Sequence, residues 1–312
     1  MTVPPTADDH ERNTELLDAE LPDERFQDAS YLRWLYDEDP HGASFWDAID
    51  TEEGVRVAHY GLIPQVWRNV DGPEPILFSL NAVTRSGNQR KGYFKTIGDT
   101  IYERARQAGH KGIIAVPNEN STPAVVKYWK YRFLMQIPVT AVRPLPHRRA
   151  GVQSHLLDDD FRASERFAEV AAGLDAHRAQ GWTQVYDETY LRWRVAQPHA
   201  RYVLHVADDV VAITTRSSFA KVPVCVVLKL LPRAGAADQV DAGAVIAAAC
   251  RHHRAPAAVY AGFNARVRVR GVRLPLKLRP VPLNLLYKSL SDDVPQDTFE
   301  LDTYEFLDMD AY

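Results

Sequence analysis

The sequence predicts an α/β protein made of two successive copies of one fold, each a mixed, mostly antiparallel sheet with flanking helices. Three observations predict it. The hydrophobic pattern runs strand, strand, strand, helix, strand, helix through the first half, and returns to several strands, a helix and a strand in the second. Tyr31-Leu32-Arg33-Trp34 recurs as Tyr190-Leu191-Arg192-Trp193, each followed by a Pro-His pair, at Pro40-His41 and Pro198-His199. The step from 31 to 190 is about half of the 312 residues, as a duplicated unit requires. Finally, a basic, glycine-containing turn joins a strand to a helix start near residue 90.

Taken in order, residues 1–25 are acidic, proline-containing and poorly periodic, and read as a flexible N-terminal segment with structure beginning near Phe26. Strands are expected at 44–50, at 55–70 with an interruption from Gly61 to Pro64, and at 76–84. After Gly92 the period becomes helical, with Phe94, Ile97, Ile101, Tyr102 and Ala105 on one face and Gly109 at the end. A short buried strand follows at 111–116. Ser121 or Thr122 can cap the next helix, Pro123 suits its first turn, and it is expected to run to Tyr131. Residues 138–151, with Pro144, Pro146, His147, Arg148 and Arg149, read as a linker. The second unit is expected to hold a helix at 161–179, strands at 202–207, 210–215 and 223–231, a helix at 240–253 and a strand at 257–261. The domains are therefore set at 26–145 and 146–312.

Composition excludes several classes. Hydrophobic residues at 46% and charged residues at 25% are globular averages, which argues against a disordered or fibrous chain. The longest apolar stretch, Val222–Pro232, is broken by Lys229, so no membrane helix is expected. With no apolar leader in the polar, acidic first 15 residues, the protein is expected in the cytoplasm. Cys225 and Cys250 lack metal-ligand spacing and read as small core residues, with no metal expected. The first 50 residues hold 14 Asp/Glu against three Lys/Arg, a net −11 in a chain of −4, so the rest carries +7. A mildly basic body suits an anionic cofactor or acceptor. A pI of about 6.3 is too low for generic nucleic-acid binding, so neither nucleic acid nor membrane is expected as a partner.

The chemical signal is Gln89-Arg90-Lys91-Gly92-Tyr93-Phe94, between the strand at 76–84 and the next helix. Such a turn presents free backbone N–H groups and the positive end of a helix dipole to one point, which suits a pyrophosphate. Gly92 permits close approach, and Arg85, Arg90, Lys91 and Lys95 add charge.

In this context the segment resembles the acetyl-CoA signature of the GNAT (GCN5-related N-acetyltransferase) superfamily, Gln/Arg-x-x-Gly-x-Gly/Ala, at Gln89, Gly92 and Phe94. Phe94 departs from the small residue usual at the last position. The superfamily's next signature appears as the strand at 113–116, Pro117-Asn118, then Ser121, Ala124, Tyr128 and Phe133, with Arg132 where Gly is usual. The resemblance covers roughly residues 26–145 and implies tandem GNAT-like folds.

It further implies that the strand carrying Ala82, Val83 and Thr84 splays from the strand at 113–118. Pantetheine would lie in the gap, and Gln89 to Lys95, with Asn118 and Ser121, would surround the cofactor. Tyr128 matches the family position for the acid that protonates the departing thiolate, and Tyr131 is a competing donor. Asn81 could orient an amine or a water, and His59 could remove a proton.

The second half lacks a matching loop: residues 232–239 hold Gly235 but no such pattern, so it reads as a degenerate copy that does not bind CoA. Arg266, Arg268 and Arg270 alternate with valines and read as a solvated strand face, the alternative being an anion clamp. The expected activity is direct transfer of an acetyl group from acetyl-CoA to a primary amine of a small molecule, such as an amino sugar, an amino acid derivative or a natural-product intermediate. The acting species would be a monomer or homodimer. The departures at Phe94 and Arg132 keep two alternatives open: a non-catalytic acyl-CoA-binding or scaffold protein, and a long-chain N-acyltransferase.

Overall fold

The computed structural model describes residues 7–21, 23–144, 151–176, 180–219, 221–279 and 281–309. Helices α1 (Ala7–Glu20) and α2 (Ser30–Asp37) precede strands β1 (Phe45–Asp50), β2 (Arg56–Arg68) and β3 (Pro73–Thr84). Then come α3 (Tyr93–Gln107), β4 (Gly112–Ala115), α4 (Thr122–Trp129), β5 (Arg132–Gln136), β6 (Val139–Val142) and β7 (Gln153–Leu156). The second half continues with α5 (Asp159–Ala163), α6 (Glu165–Ala172), β8 (Thr183–Gln184), α7 (Glu188–Arg194), β9 (Val203–Val206), β10 (Val210–Phe219) and β11 (Val222–Pro232). It closes with β12 (Val240–Asp241), α8 (Gly243–His253), β13 (Ala258–Asn264), β14 (Val267–Arg268), β15 (Val272–Arg273), β16 (Asn284–Ser289) and β17 (Thr303–Glu305).

Two sheets carry the fold, in the orders β1-β2-β3-β4-β16-β5 and β15-β6-β13-β11-β10-β9-β7. Both are mixed and mostly antiparallel; the parallel pairs within them are β3 with β4 and β11 with β13. Apolar side chains of α1, α2, α6 and α7 fill the space between the sheets with those of both inner faces, such as Ile63, Phe78, Leu204 and Leu228. On the outer faces, α3 and Trp129 of α4 cover the first sheet, and α8 covers the second.

The order of strands corrects the division at 145/146. β6, assigned to the first half, lies between β13 and β15 in the second sheet, while β16 from the second half lies between β4 and β5 in the first. Each half thus contributes one strand, β6 or β16, to the other's sheet. The stretch expected as a linker contains β6, and residues 145–150 of it lie outside the described chain.

The N-terminal expectation is also corrected. Ala7–Glu20 is a helix; beside Leu16, its buried residues are His10, Asn13, Thr14 and Leu17, at the i, i+3, i+4, i+7 spacing. Three of those four residues are polar, so the segment carries little apolar periodicity. Arg56 of β2 compensates by donating to Asn13 Oδ1 (2.7 Å) and pairing with Asp9 (2.9 Å).

Smaller differences have local causes. β2 runs unbroken through Gly61–Pro64; β1 has ended opposite Leu62, so one flank of Pro64 needs no ladder partner. The helix expected at 161–179 is two short ones meeting at Ser164, whose hydroxyl caps the second, and residues 177–179 lie outside the described chain. α4 ends at Trp129 because Lys130 takes the left-handed conformation, so Tyr131 lies beyond the helix.

Candidate functional site

β3 and β4 pair only from Ile76–Ser79 against Gly112–Ala115. Beyond Ser79, β3 continues with β2 as its sole partner among the described residues, none of which pairs with the β4-facing edge of residues 80–84. Asn81 and Ala82 also leave the β2 ladder, in a bulge where Asn81 takes φ 51°. The strand edge therefore offers main-chain donors and acceptors to an extended ligand.

The loop beyond β3 turns through positive φ at Gly87, Arg90 and Gly92, and Glu20 at the end of α1 holds its Ser86 through N–H (2.9 Å) and Oγ (2.7 Å). Gly92 is the N-cap of α3 at φ 85°, no side chain caps the helix, and the space a Cβ would enter is open. Arg90 and Lys91 are exposed beside it, as is Gln89. Lys95 pairs with Asp99, and Arg85 donates to the Arg56 carbonyl (3.1 Å). The Phe94 ring turns inward against Tyr60 (5.2 Å between centroids) and Trp129 (4.9 Å), so its bulk lies in the core under the helix start. This places Phe94 among packing residues, with Tyr93 half-buried beside it.

At the head of α4, Asn118 organises the turn: its Oδ1 accepts the Ser121 N–H (2.9 Å) and its carbonyl accepts the Thr122 hydroxyl (2.8 Å). The expected side-chain cap from Ser121 or Thr122 is thus replaced by Asn118. Tyr128 lies on the outer face of α4, 44% exposed. Tyr131 is buried, and its hydroxyl meets Tyr102 (2.8 Å), which meets Tyr60 (2.7 Å) and through it Ser79. Its hydroxyl is engaged in the core.

His59 and Asn81 do come together, through the main chain. His59 Nδ1 lies 2.9 Å from the Asn81 carbonyl, which can only accept; Nδ1 therefore carries the proton and Nε2 is a bare acceptor. Burial holds the imidazole's pKa down to about 4, so the ring is neutral near pH 7. The Asn81 amide instead donates to the Tyr36 hydroxyl (3.1 Å). Tyr36 and Trp46 flank the His59 ring at 5.8 and 5.7 Å, and His10 of α1 lies against the same two aromatics. Sequence reading missed His10, Tyr36, Trp46 and Asp37; the His10, Asn13, Thr14, Leu17 spacing was the available signal.

The corresponding opening of the second half is filled. β11 and β13 pair in parallel over Cys225–Val227 and Ala258–Tyr260, and β17 then takes the edge of β13. Gly262 at φ 146° admits it: a Cβ there would stand 2.5 Å from the Tyr304 carbonyl oxygen. Lys229 of β11 reaches Glu305 (3.0 Å) and Asp308 (2.7 Å) across the gap. At the start of α8, the Asp241 carboxylate takes the Gly243 N–H (2.9 Å), which would repel an anion. Arg266 and Arg270 pair with Asp175 and Asp241, and Arg268 is exposed.

Among the described residues no helix is long and apolar enough to cross a membrane, and no group of His, Cys, Asp and Glu is arranged to hold a metal ion. No family model and no curated protein matches the sequence. Solved structures do match the fold. A conserved protein of Enterococcus faecalis V583, described as a probable N-acyltransferase, superposes with a TM-score of 0.61 at 10% identity, covering 91% of this chain and 70% of its own. A GCN5-related N-acetyltransferase from Anabaena variabilis gives 0.58 at 8%, covering 92% and 71%. The N-myristoyltransferase of Saccharomyces cerevisiae, with myristoyl-CoA bound, gives 0.54 at 8%, covering 91% and 80%. The chain has the fold of GNAT-type N-acyltransferases, in a tandem form whose halves exchange strands β6 and β16.

Proposed function

We propose that the chain is an acyl-CoA-dependent N-acyltransferase whose first half moves an acetyl group from acetyl-CoA to a primary amine of a small molecule in a ternary complex. One observation carries this reading: the edge of β3 that no described strand pairs leads, through the loop at 85–92, to an uncapped, glycine-led helix start. A ligand with an extended amide-bearing arm and a terminal pyrophosphate matches both features at once.

In this reading the main chain of Ala82–Thr84 pairs with pantetheine. The N–H groups following Gly92 receive the pyrophosphate, with Arg90 and Lys91 beside it and Gln89, Asn118 and Ser121 at the rim. Tyr128 protonates the departing thiolate. The bare Nε2 of His59 accepts a hydrogen bond from the amine or from a water, and Asn81 orients it through its carbonyl. Because Phe94 packs into the core, the loop does not need a small residue there. The positive body favours an acceptor with an anionic group, and the cytoplasm is the proposed location.

The test is titration calorimetry with acetyl-CoA, followed by thiol release across a panel of small amines. One CoA per chain with turnover of at least one amine is expected. Two CoA per chain would contradict an inactive second half. Tight binding without turnover would replace catalysis by a scaffold role, and preference for long acyl-CoA would replace the acetyl donor.

A further inference from the structure

Behind the β3 bulge, the interface between α1 and β2 is polar and closed. His10, Asn13, Thr14 and His59 are 3%, 0%, 6% and 1% exposed. Each carries a buried polar atom for which no described residue supplies a partner: His10 Nδ1, Asn13 Nδ2, Thr14 Oγ1 and His59 Nε2. Each such atom left unsatisfied carries the desolvation penalty of a buried polar group, so a seam of this kind calls for polar guests.

The chemistry of the four atoms specifies the guest. His59 Nε2 is an acceptor, because Nδ1 holds its proton against the Asn81 carbonyl. His10 Nε2 lies 2.8 Å from an Asp37 carboxylate oxygen and donates to it, so in the neutral ring Nδ1 is an acceptor too. Asn13 Nδ2 is a donor, its Oδ1 being taken by Arg56, and the Thr14 hydroxyl can donate or accept. Two acceptors, a donor and a hydroxyl left without partners along one interface are the complement of water, which makes two to four hydrogen bonds when buried. The seam also has a way out. Asp37 on α2 is 49% exposed, so the His10 ring joins a fully buried seam to a carboxylate in contact with solvent.

We infer that the seam holds an ordered water bridging His59 Nε2 and His10 Nδ1, and that His10 passes protons from this water to Asp37 at the surface. The direction rests on the acyl-transfer reading above. An ammonium acceptor carries three N-bound protons; when the C–N bond forms and the C–S bond breaks, one stays on the amide, one goes to the CoA thiol and one must leave. The acceptor nitrogen, hydrogen-bonded to the water, gives it that last proton as the water gives one of its own to His10 Nδ1, and the His10 Nε2 proton passes to the Asp37 carboxylate. His10 and Asp37 are thus positioning residues acting through the water.

Two measurements test this. A high-resolution crystal structure near neutral pH should show a water within hydrogen-bonding distance of both imidazole nitrogens. A dry seam, or rings in direct contact, overturns the bridge whatever the protein's activity. In thiol-release kinetics, Asp37→Asn, a surface change that leaves the seam intact, should lower kcat about tenfold or more with KM for acetyl-CoA unchanged. Its solvent deuterium isotope effect should rise, and small carboxylate buffers should restore the rate. His10→Gln should lower kcat in the same way without rescue by carboxylates. Unchanged kcat in Asp37→Asn, or loss without buffer rescue, overturns the path while leaving the acyl-transfer reading in place. A wild-type protein that binds acetyl-CoA but releases no thiol overturns that reading and the path together, with the water then decided by the crystal structure alone.

Discussion

Trp34 and Trp193 exchange hydrogen bonds reciprocally: each indole Nε1 donates to the other's main-chain carbonyl, at 3.0 and 3.1 Å, and the rings stack 4.8 Å apart at 17°. They are the last residues of the two Tyr-Leu-Arg-Trp copies, on α2 and α7. The repeated sequence thus lies at the contact between the halves, where like meets like.

This pair should be energetically coupled. Trp193→Phe keeps much of the ring but leaves the Trp34 carbonyl without its donor, at a cost of about 1–3 kcal/mol. In chemical denaturation, Trp34→Phe, Trp193→Phe and the double variant should give a non-zero coupling energy. Strict additivity would show that the exchange contributes nothing.

Gly92→Asp should abolish acetyl-CoA binding with little loss of stability. The left-handed φ costs a non-glycine residue about 1–2 kcal/mol, but a carboxylate at a helix N-cap offsets part of this. The same carboxylate repels a pyrophosphate. The matching Gly235→Asp should leave affinity intact. Calorimetry showing wild-type affinity in Gly92→Asp would remove the loop from the site.

Tyr128→Phe and Tyr131→Phe should separate chemistry from packing. Loss of a general acid lowers kcat about 10²- to 10⁴-fold, expected for Tyr128 with acetyl-CoA affinity unchanged. Tyr131→Phe breaks the hydroxyl chain to Tyr102 and should instead cost about 1 kcal/mol of stability. Full kcat in Tyr128→Phe, measured where chemistry limits the rate, would return Tyr128 to a surface tyrosine.

Buried neutral imidazoles should make stability fall on acidification. Burial, aided by His253 and His252, holds His205 down to about 3, and burial chiefly holds His253 and His59 down to about 4. An unfolded imidazole protonates near pH 6.5, so between there and about 4 the unfolded chain binds protons that the folded one does not. This contribution is complete above pH 6.5 and is lost as pH falls through the folded values. Asp39 and Glu305, both raised to about 7 by burial, act in the opposite sense, so a paired comparison isolates the histidine. The stability gap between wild type and His205→Gln should shrink by several kcal/mol from pH 7 to pH 4. A constant gap would show that His205 titrates normally.

Much of the first half was legible because its signals are local. The apolar period from Phe94 to Ala105, the glycine at a helix start and the strand at 76–84 are properties of neighbours in sequence, and α3 and β3 form close to where they indicate. The inward turn of Phe94 was not legible, since it depends on Tyr60 and Trp129 from two other elements. Nor was α1, whose buried His10 and Asn13 are satisfied only by Asp37 and Arg56 from other elements.

By itself the sequence determined that the protein is a duplicated α/β chain, that one half carries a basic, glycine-containing turn at a helix start and that the other lacks this pattern. These follow from periodicity, from a repeated tetrapeptide and from residue types within short windows. Only the tertiary structure decided where the duplication closes. β6 and β16 are short strands whose own residues do not choose between the two sheets; each is placed by ladder partners more than 100 residues away, such as Val259 for Ala141 and Ile114 for Tyr287. The same long-range pairing decided which half keeps its cleft open. β17 returns from the chain's end to fill the second half's gap, held by the Lys229 ammonium against Glu305 and Asp308, whereas the described chain adds no strand to the β4-facing edge of residues 80–84.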